Sequence, residues 1–275
     1  MKAAGRDDAA PEANRYKMVV AYDGTNYKGW QVQKSGVGVQ ELVEKALAAL
    51  FPSNPQLHSS SRTDTGVHAL GMVAHFDVLA TEDRMEPSKL LLALNAHLPE
   101  DVRIASVARA RRNFHARFNS AGKQYRYFVW NHSAMNPLLR SQAWHVPKAL
   151  DLAAMKRAAA HLVGKHDFGS FAANRGHPPL TTVRTVRRCD VGKSGSLITF
   201  TFEANGFLYK MCRGFAGTLV QVGLGKFNAD EIPRILEKRD RRVAGMTAPA
   251  HGLVLWKVFY TPGAKPKPGA EEDEE

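Results

Sequence analysis

An α+β fold follows from three features of this 275-residue chain. Segments that alternate apolar and polar residues, as half-buried strands do, are interspersed with segments of helical period. The two kinds follow one another without a clean β-α-β register, which argues against a single parallel sheet. No repeat of solenoid period runs through the chain. The expected architecture is therefore two antiparallel sheets with helices packed on one face.

Taken in order, Tyr16 to Tyr22 alternates as a strand and stops at the turn pair Asp23-Gly24. Val39, Leu42, Val43, Ala46, Leu47 and Leu50 recur at helical spacing, which predicts an amphipathic helix over 39–50. Val73 to Val78 reads as a strand, and a helix from about Ser88 runs to Leu98, where Pro99 stops it. The arginine-rich stretch 101–118 reads as a hinge into a second half. Gln124 to Trp130 is a strand with Tyr125, Tyr127 and Val129 on one face. A helix beginning near Leu152 is expected to reach Val163 and end on Gly164 as its C′ residue. Residues 165–182 carry so many Gly, Pro and Asn that they read as a long loop, of a kind that is usually functional. Leu197 to Ala204 alternates with Ile198, Phe200 and Phe202 inward. A helix then starts near Gly206, with Leu208, Met211, Cys212, Phe215, Leu219 and Val222 as its buried stripe. Gly252 to Tyr260 is the last strand. This divides the chain into a leader (1–14), two subdomains (15–112 and 113–260) and a Pro/Lys/Gly/acidic tail (261–275). Leader and tail are too polar to pack and are expected to be disordered.

Charge narrows the function. The net charge is +12, yet the tail nets −3 and the leader −1, which leaves +16 on residues 15–260. Such a surplus attracts polyanions until salt screens it. The cations cluster at Arg109, Arg111, Arg112 and Arg117, at Lys123 and Arg126, and at Arg184, Arg187 and Arg188. Phe114, Phe118, Tyr125, Tyr127 and Phe128 lie among them, as suits bases that are stacked while phosphates are held. Cys189 and Cys212 form no CxxC pair, which leaves out a disulfide framework or a thiolate zinc site and points to reduced thiols in the cytosol. The histidines show no metallohydrolase spacing, and there is no Walker loop, dinucleotide fingerprint or nucleophile elbow. No apolar run approaches the roughly 20 residues of a membrane span.

Within Ser61-Arg-Thr-Asp-Thr-Gly-Val-His-Ala69 the carboxylate of Asp64 lies close to Arg62 and the turn glycine Gly66. An acid beside a cation is held ionised and ready to act as nucleophile or base. The plainer alternative is an Asx-type turn and nothing more. Arg213 lies off the buried stripe of its helix, on the face of Tyr209, Ala216, Gly217 and Val220, where small residues admit a close approach by backbone or substrate. Tyr125 and Tyr127 share one strand face, and such a pair is more often half-buried sheet than a stacking platform.

Ser61–Ala69 closely resembles the Gly-Arg-Thr-Asp-Ala-Gly-Val-His-Ala signature of the tRNA pseudouridine synthase A family. The likeness extends, in the family's order, through Tyr22–Gln31, Val39-Gln-Glu, Asn95–Pro99, Phe114–Phe118 with Lys123–Tyr127, His166–Phe171, Phe207–Arg213 and Ala250–Leu253. The resemblance implies a pseudouridine synthase fold, with the two subdomains joined across a basic catalytic cleft. It implies isomerisation of uridine to pseudouridine at positions 38, 39 and 40 of the tRNA anticodon stem-loop, without metal or other cofactor, by a cytoplasmic homodimer. It assigns Asp64 as the essential aspartate and Arg213 as its basic partner. It further assigns Arg62 to extrusion of the nucleotide, Tyr125 to stacking on the uracil, and Leu253 to the uracil pocket. Ser61, Thr65 and Gly214 depart from the family's usual glycine, alanine and asparagine, flanking the acting side chains without replacing them. A non-catalytic RNA-binding protein is the competing reading, but it has no need of an acid among phosphates. A phosphodiesterase lacks a carboxylate cluster or paired histidines here.

Overall fold

The computed structural model describes residues 12–33, 36–173, 176, 181–261 and 263. Its strands and helices run β1 (Ala13–Tyr22), α1 (Val39–Leu50), β2 (His58–Ser59), β3 (His68–Leu79), α2 (Pro87–Ala96), β4 (Val102–Arg109), β5 (Ser120–Trp130), β6 (Trp144–His145), α3 (Leu152–Ala160), β7 (Gly164–Asp167), β8 (Val183–Ser194), β9 (Leu197–Ala204), α4 (Met211–Gly223), α5 (Ile232–Lys238) and β10 (Leu253–Tyr260). The mixed α+β class holds, but the two expected sheets are one. The strands are ordered β4-β1-β3-β10-β5-β9-β8-β7, with β2 added on β3 and β6 on β5. The join is β10, which runs antiparallel to β5 and parallel to β3, pairing Val254 with His68 and Leu255 with Ala69. Alternation along a strand cannot reveal so short a parallel contact, because it reports which face is buried and not which strand lies alongside.

Period-2 patterning nonetheless built the core. Tyr125, Tyr127 and Val129 face Phe202, Phe200 and Ile198 across the β5–β9 ladder, all of them buried. On this face α4 adds Phe215, whose ring meets Phe171, Phe202 and Phe168 at centroid distances of 4.9, 5.6 and 5.4 Å. Edge-to-face pairs of this kind add about 0.5–1.5 kcal/mol each beyond area burial.

Several elements depart from expectation. The arginine-rich 101–118 contains strand β4, whose Val102 and Ile104 are buried against the sheet; only the residues after it form a turn. Its Arg109 serves structure, pairing with Asp83 at 2.8 Å. Helix α2 ends at Ala96, two residues early. Helix α3 ends at Ala160, and Gly164 is not its C′ residue; with φ of +124° it opens β7. The expected loop 165–182 includes most of β7 and a 3-10 turn at Gly169–Phe171, while 174–175 and 177–180 lie outside the described residues. The leader's last two residues, Ala13 and Asn14, belong to β1; residues 1–11 and 264–275 lie outside the described residues. Helix α4 starts at Met211 rather than near Gly206, because Lys210 adopts a left-handed conformation (φ 59°) that no helix continues through. Strand β8 and helix α5 had no counterpart in the sequence reading.

Candidate active site

The β3–β10 junction determines where the site lies. Asp64 stands in the loop just before β3, Leu253 begins β10, and β10 aligns Leu255 opposite Tyr125 of β5. Three strands of different sequence origin thus converge on one cleft. Its cavity volume is about 730 Å³, and Arg62, Asp64, Tyr125 and Leu253 all line it.

The Asp64 loop is shaped by glycines and by backbone clips. Val67 N–H donates to Asp64 O at 3.1 Å, and Gly66 at the third position of this turn has φ of +74°, the left-handed value a type II turn demands there. Gly66 N–H donates to Tyr27 O rather than to a side chain of the loop. Trp30 N–H donates to Thr63 O, and a Cβ on Gly29 would lie 2.4 Å from that same oxygen, so only glycine admits the approach. The Thr63 and Tyr22 hydroxyls share a buried hydrogen bond of 2.7 Å. With Thr63 held on both sides, the next side chain is aimed outward into the cleft.

That side chain meets Arg213. Arg213 Nη1 donates to Asp64 Oδ2 at 3.1 Å, with the two side chains 15% and 19% exposed. The plainer turn reading therefore accounts for the backbone of this loop, while the carboxylate itself engages a guanidinium. Arg213 is positioned independently of Asp64. Its Nε donates to Ala248 O at 2.8 Å, and Ala248 N–H returns a bond to Arg213 O at 3.0 Å. The small residues of α4 make this possible: a Cβ on Gly217 would lie 1.8 Å from Met246 O, so the helix lies directly on the 246–248 backbone. The close approach expected at this face is that of the chain's own backbone.

The two tyrosines separate. Tyr127 is core: its hydroxyl donates to Pro249 O at 2.8 Å and a Cβ on Gly252 would touch its ring. Tyr125 reaches the cleft, its ring edge-to-face with Phe207 at 5.2 Å. Burial, reinforced by the nearby Cys212, keeps the Tyr125 phenol protonated far above neutral pH. Cys212 also lines the cleft, but burial pushes its thiol well up, so it is an uncharged neighbour rather than a nucleophile. Arg62 is exposed at the cleft wall. Among the described residues no group of three or more His, Cys, Asp or Glu is arranged to hold a metal ion.

Around Asp64, then, the chain sets one carboxylate, one guanidinium, one neutral phenol and an apolar wall in an open cleft with cationic sides. Arg62, Asp64, Tyr125, Arg213 and Leu253 thus lie at or beside one cleft, and comparison with known proteins decides the family. The family described as tRNA pseudouridine synthase matches residues 18–119 and 158–261. The chain belongs to that family. The tRNA pseudouridine synthase A of Acetivibrio thermocellus is 43% identical over 244 residues, covering 89% of this chain and 98% of the relative. Those of Exiguobacterium sibiricum and Geobacter sulfurreducens are 42% and 44% identical, covering 91% and 89% of this chain and 98% of each relative. This pseudouridine synthase is therefore an enzyme of the isomerase class.

Beyond the basic and aromatic clusters and the resembling segments Phe114–Phe118 and Phe207–Arg213, sequence reasoning gave the other cleft residues of this synthase no individual role. Phe207, Leu208, Tyr209 and Lys210 line it because α4 begins late. The aromatic run broken by Gly206 was the available signal, absorbed instead into a helical period. His58, His115, Arg117 and Phe118 line the same cleft.

Proposed function

We propose that this chain isomerises uridine to pseudouridine at positions 38, 39 and 40 of the tRNA anticodon stem-loop, with Asp64 as the reacting carboxylate. The observation that carries the reading is the Asp64–Arg213 contact of 3.1 Å within a cleft that Tyr125 and Leu253 also line. The reaction breaks the N1–C1′ bond of uridine and forms C1′–C5; the C5 proton is lost to solvent while N1 takes one up, so atoms balance within one nucleotide. The target base first leaves the stack, at a few kcal/mol. Stacking on Tyr125, at roughly 1–3 kcal/mol per base, offsets much of that, and Arg62 occupies the space vacated. Asp64 then either attacks C1′ or removes the C2′ proton to give a glycal; both routes use the carboxylate that Arg213 Nη1 hydrogen-bonds at 3.1 Å. Leu253 gives the uracil an apolar wall. The two halves, 15–112 and 113–260, each supply part of this set: Asp64 and Arg62 from the first, Tyr125, Arg213 and Leu253 from the second.

Asp64→Ala abolishes tritium release from C5-labelled uridine in tRNA and leaves tRNA binding nearly intact; retained turnover overturns the reading. The working form is a cytoplasmic homodimer in which each tRNA touches both subunits. Light scattering giving a monomeric mass at full activity overturns that part. No helix of the described residues is long and apolar enough to cross a membrane.

A further inference from the structure

The Phe114–Asn119 turn follows β4 and reaches the cleft through His115, Arg117 and Phe118. Unlike an ordinary surface loop, it is held by side chains from three other parts of the fold. Arg15 Nη1 donates to Phe114 O at 2.7 Å, the Tyr260 hydroxyl donates to Ala116 O at 2.7 Å, and His75 Nδ1 accepts from Ala116 N–H at 3.2 Å. Within the turn, His115 Nδ1 accepts from Arg117 N–H and Phe118 N–H at 3.1 and 3.3 Å. The His75 ring, buried, stacks on His58 at 4.9 Å and meets His115 edge-to-face at 4.6 Å, so the turn rests on a cluster of imidazoles.

What this scaffold presents is one aromatic face and one cation. The His115 and Phe118 rings lie 4.3 Å apart, and the Arg117 guanidinium sits 5.4 Å from the Phe118 ring, with Arg117 exposed. An aromatic ring backed by a second ring stacks a base of any identity, and an exposed arginine beside it suits the phosphate that joins that base to the next. A turn already fixed before binding loses little freedom when the ligand arrives.

We propose that the Phe114–Asn119 turn is a clamp for the RNA strand flanking the target uridine, in which Phe118 stacks a neighbouring base and Arg117 takes a backbone phosphate. His75 and His115 are positioning residues that act through the turn. The proposal rests on the reading of this cleft as the tRNA site.

The test measures binding of an unmodified tRNA transcript across a salt series, together with turnover, for the wild type, Arg117→Gln, Arg117→Lys and Phe118→Leu. Arg117→Gln lowers the slope of log Kobs against log salt by roughly one, and Arg117→Lys restores it. Phe118→Leu weakens binding roughly tenfold with the salt slope unchanged, as loss of one stacked base requires. In both Arg117→Gln and Phe118→Leu the loss falls on KM for tRNA, which rises in step with the weakened binding, as loss of contacts outside the reacting atoms requires. An unchanged slope in Arg117→Gln together with unchanged affinity in Phe118→Leu overturns the clamp. Loss of kcat with affinity preserved also overturns it, because that places the turn in the chemistry. A wild type that binds the transcript but forms no pseudouridine sinks the isomerase reading instead, and the binding slopes still decide the clamp.

Discussion

Acidification from pH 7 to pH 5 destabilises this protein through His75, a histidine buried in its neutral form. The ring is 2% exposed, and its Nδ1 accepts a backbone N–H, so a proton added there meets another proton. Burial lowers its pKa to about 3, with the nearby Arg15, His115 and His58 pushing the same way and Asp77 opposing. In the unfolded chain the ordinary value of about 6.5 returns. Between those values the unfolded state binds one proton more than the folded state, so stability is complete above about pH 6.5 and falls as pH drops toward 3. At 1.36 kcal/mol per unit, and allowing for the partial protonation already present at pH 7, the step to pH 5 removes about 2 kcal/mol. His75→Gln keeps an acceptor for Ala116 N–H and removes the titration. Urea unfolding of both proteins at pH 7 and pH 5 isolates the effect, because every other group titrates alike in the two. The wild type loses about 2 kcal/mol more than the variant. Equal losses, with m-values unchanged, refute the claim that His75 is buried neutral in the fold.

Three other perturbations follow from the same coordinates. Gly217→Ala drives a Cβ into Met246 O, 1.8 Å away, and displaces the backbone that holds Arg213; unfolding free energy falls by about 2–3 kcal/mol in urea titration, and turnover falls with it. Arg213→Lys keeps the charge but cannot hold Asp64 Oδ2 and Ala248 O together as a planar fork does, so tritium release slows at least tenfold, or about 1.4 kcal/mol. Cys189 and Cys212 are buried with their thiols pushed up, so iodoacetamide at pH 8 labels neither until denaturant is added; rapid labelling of the folded protein contradicts their burial.

What could be read from sequence divides along physical lines. Helix 39–50 and strand 197–204 were legible to the residue because each carries one clean period and buries one face. Strand β4 was not, since only Val102 and Ile104 of it are buried and its arginines masked the alternation. The start of α4 was misplaced because a left-handed lysine leaves no mark on periodicity: Leu208 is buried as the stripe requires, yet lies outside the helix. Asp64, Arg62 and Gly66 were visible as a local constellation. The Asp64–Arg213 contact spans 149 positions and depends on β10 entering beside β3, a pairing no local pattern encodes. Only the resemblance joined those two residues in advance. The His58, His75 and His115 cluster was equally hidden, because its members come from β2, β3 and a turn, and it exists only once those are packed.

The same scaffolding bears on the role proposed for the Asp64–Arg213 pair. A half-exposed ion pair adds 0–1 kcal/mol to stability, and a buried one often nothing after desolvation. At 15% and 19% exposure this pair lies between those cases, so its net contribution to folding is small. Its geometry does not depend on mutual attraction either. Arg213 is fastened to Ala248 through both Nε and its carbonyl, and the Asp64 loop is fastened at Thr63 by Trp30 and Tyr22. Each partner is therefore held where it is by contacts that survive loss of the other. A charge pair assembled this way contributes little to the fold and, in the proposed reaction, much to readiness, since neither group has to reorient when a substrate enters the cleft. Removing the Asp64 carboxylate should then leave the melting temperature within a few degrees of the wild type while turnover disappears, and that separation of stability from activity is what distinguishes a preorganised reacting group from a structural salt bridge.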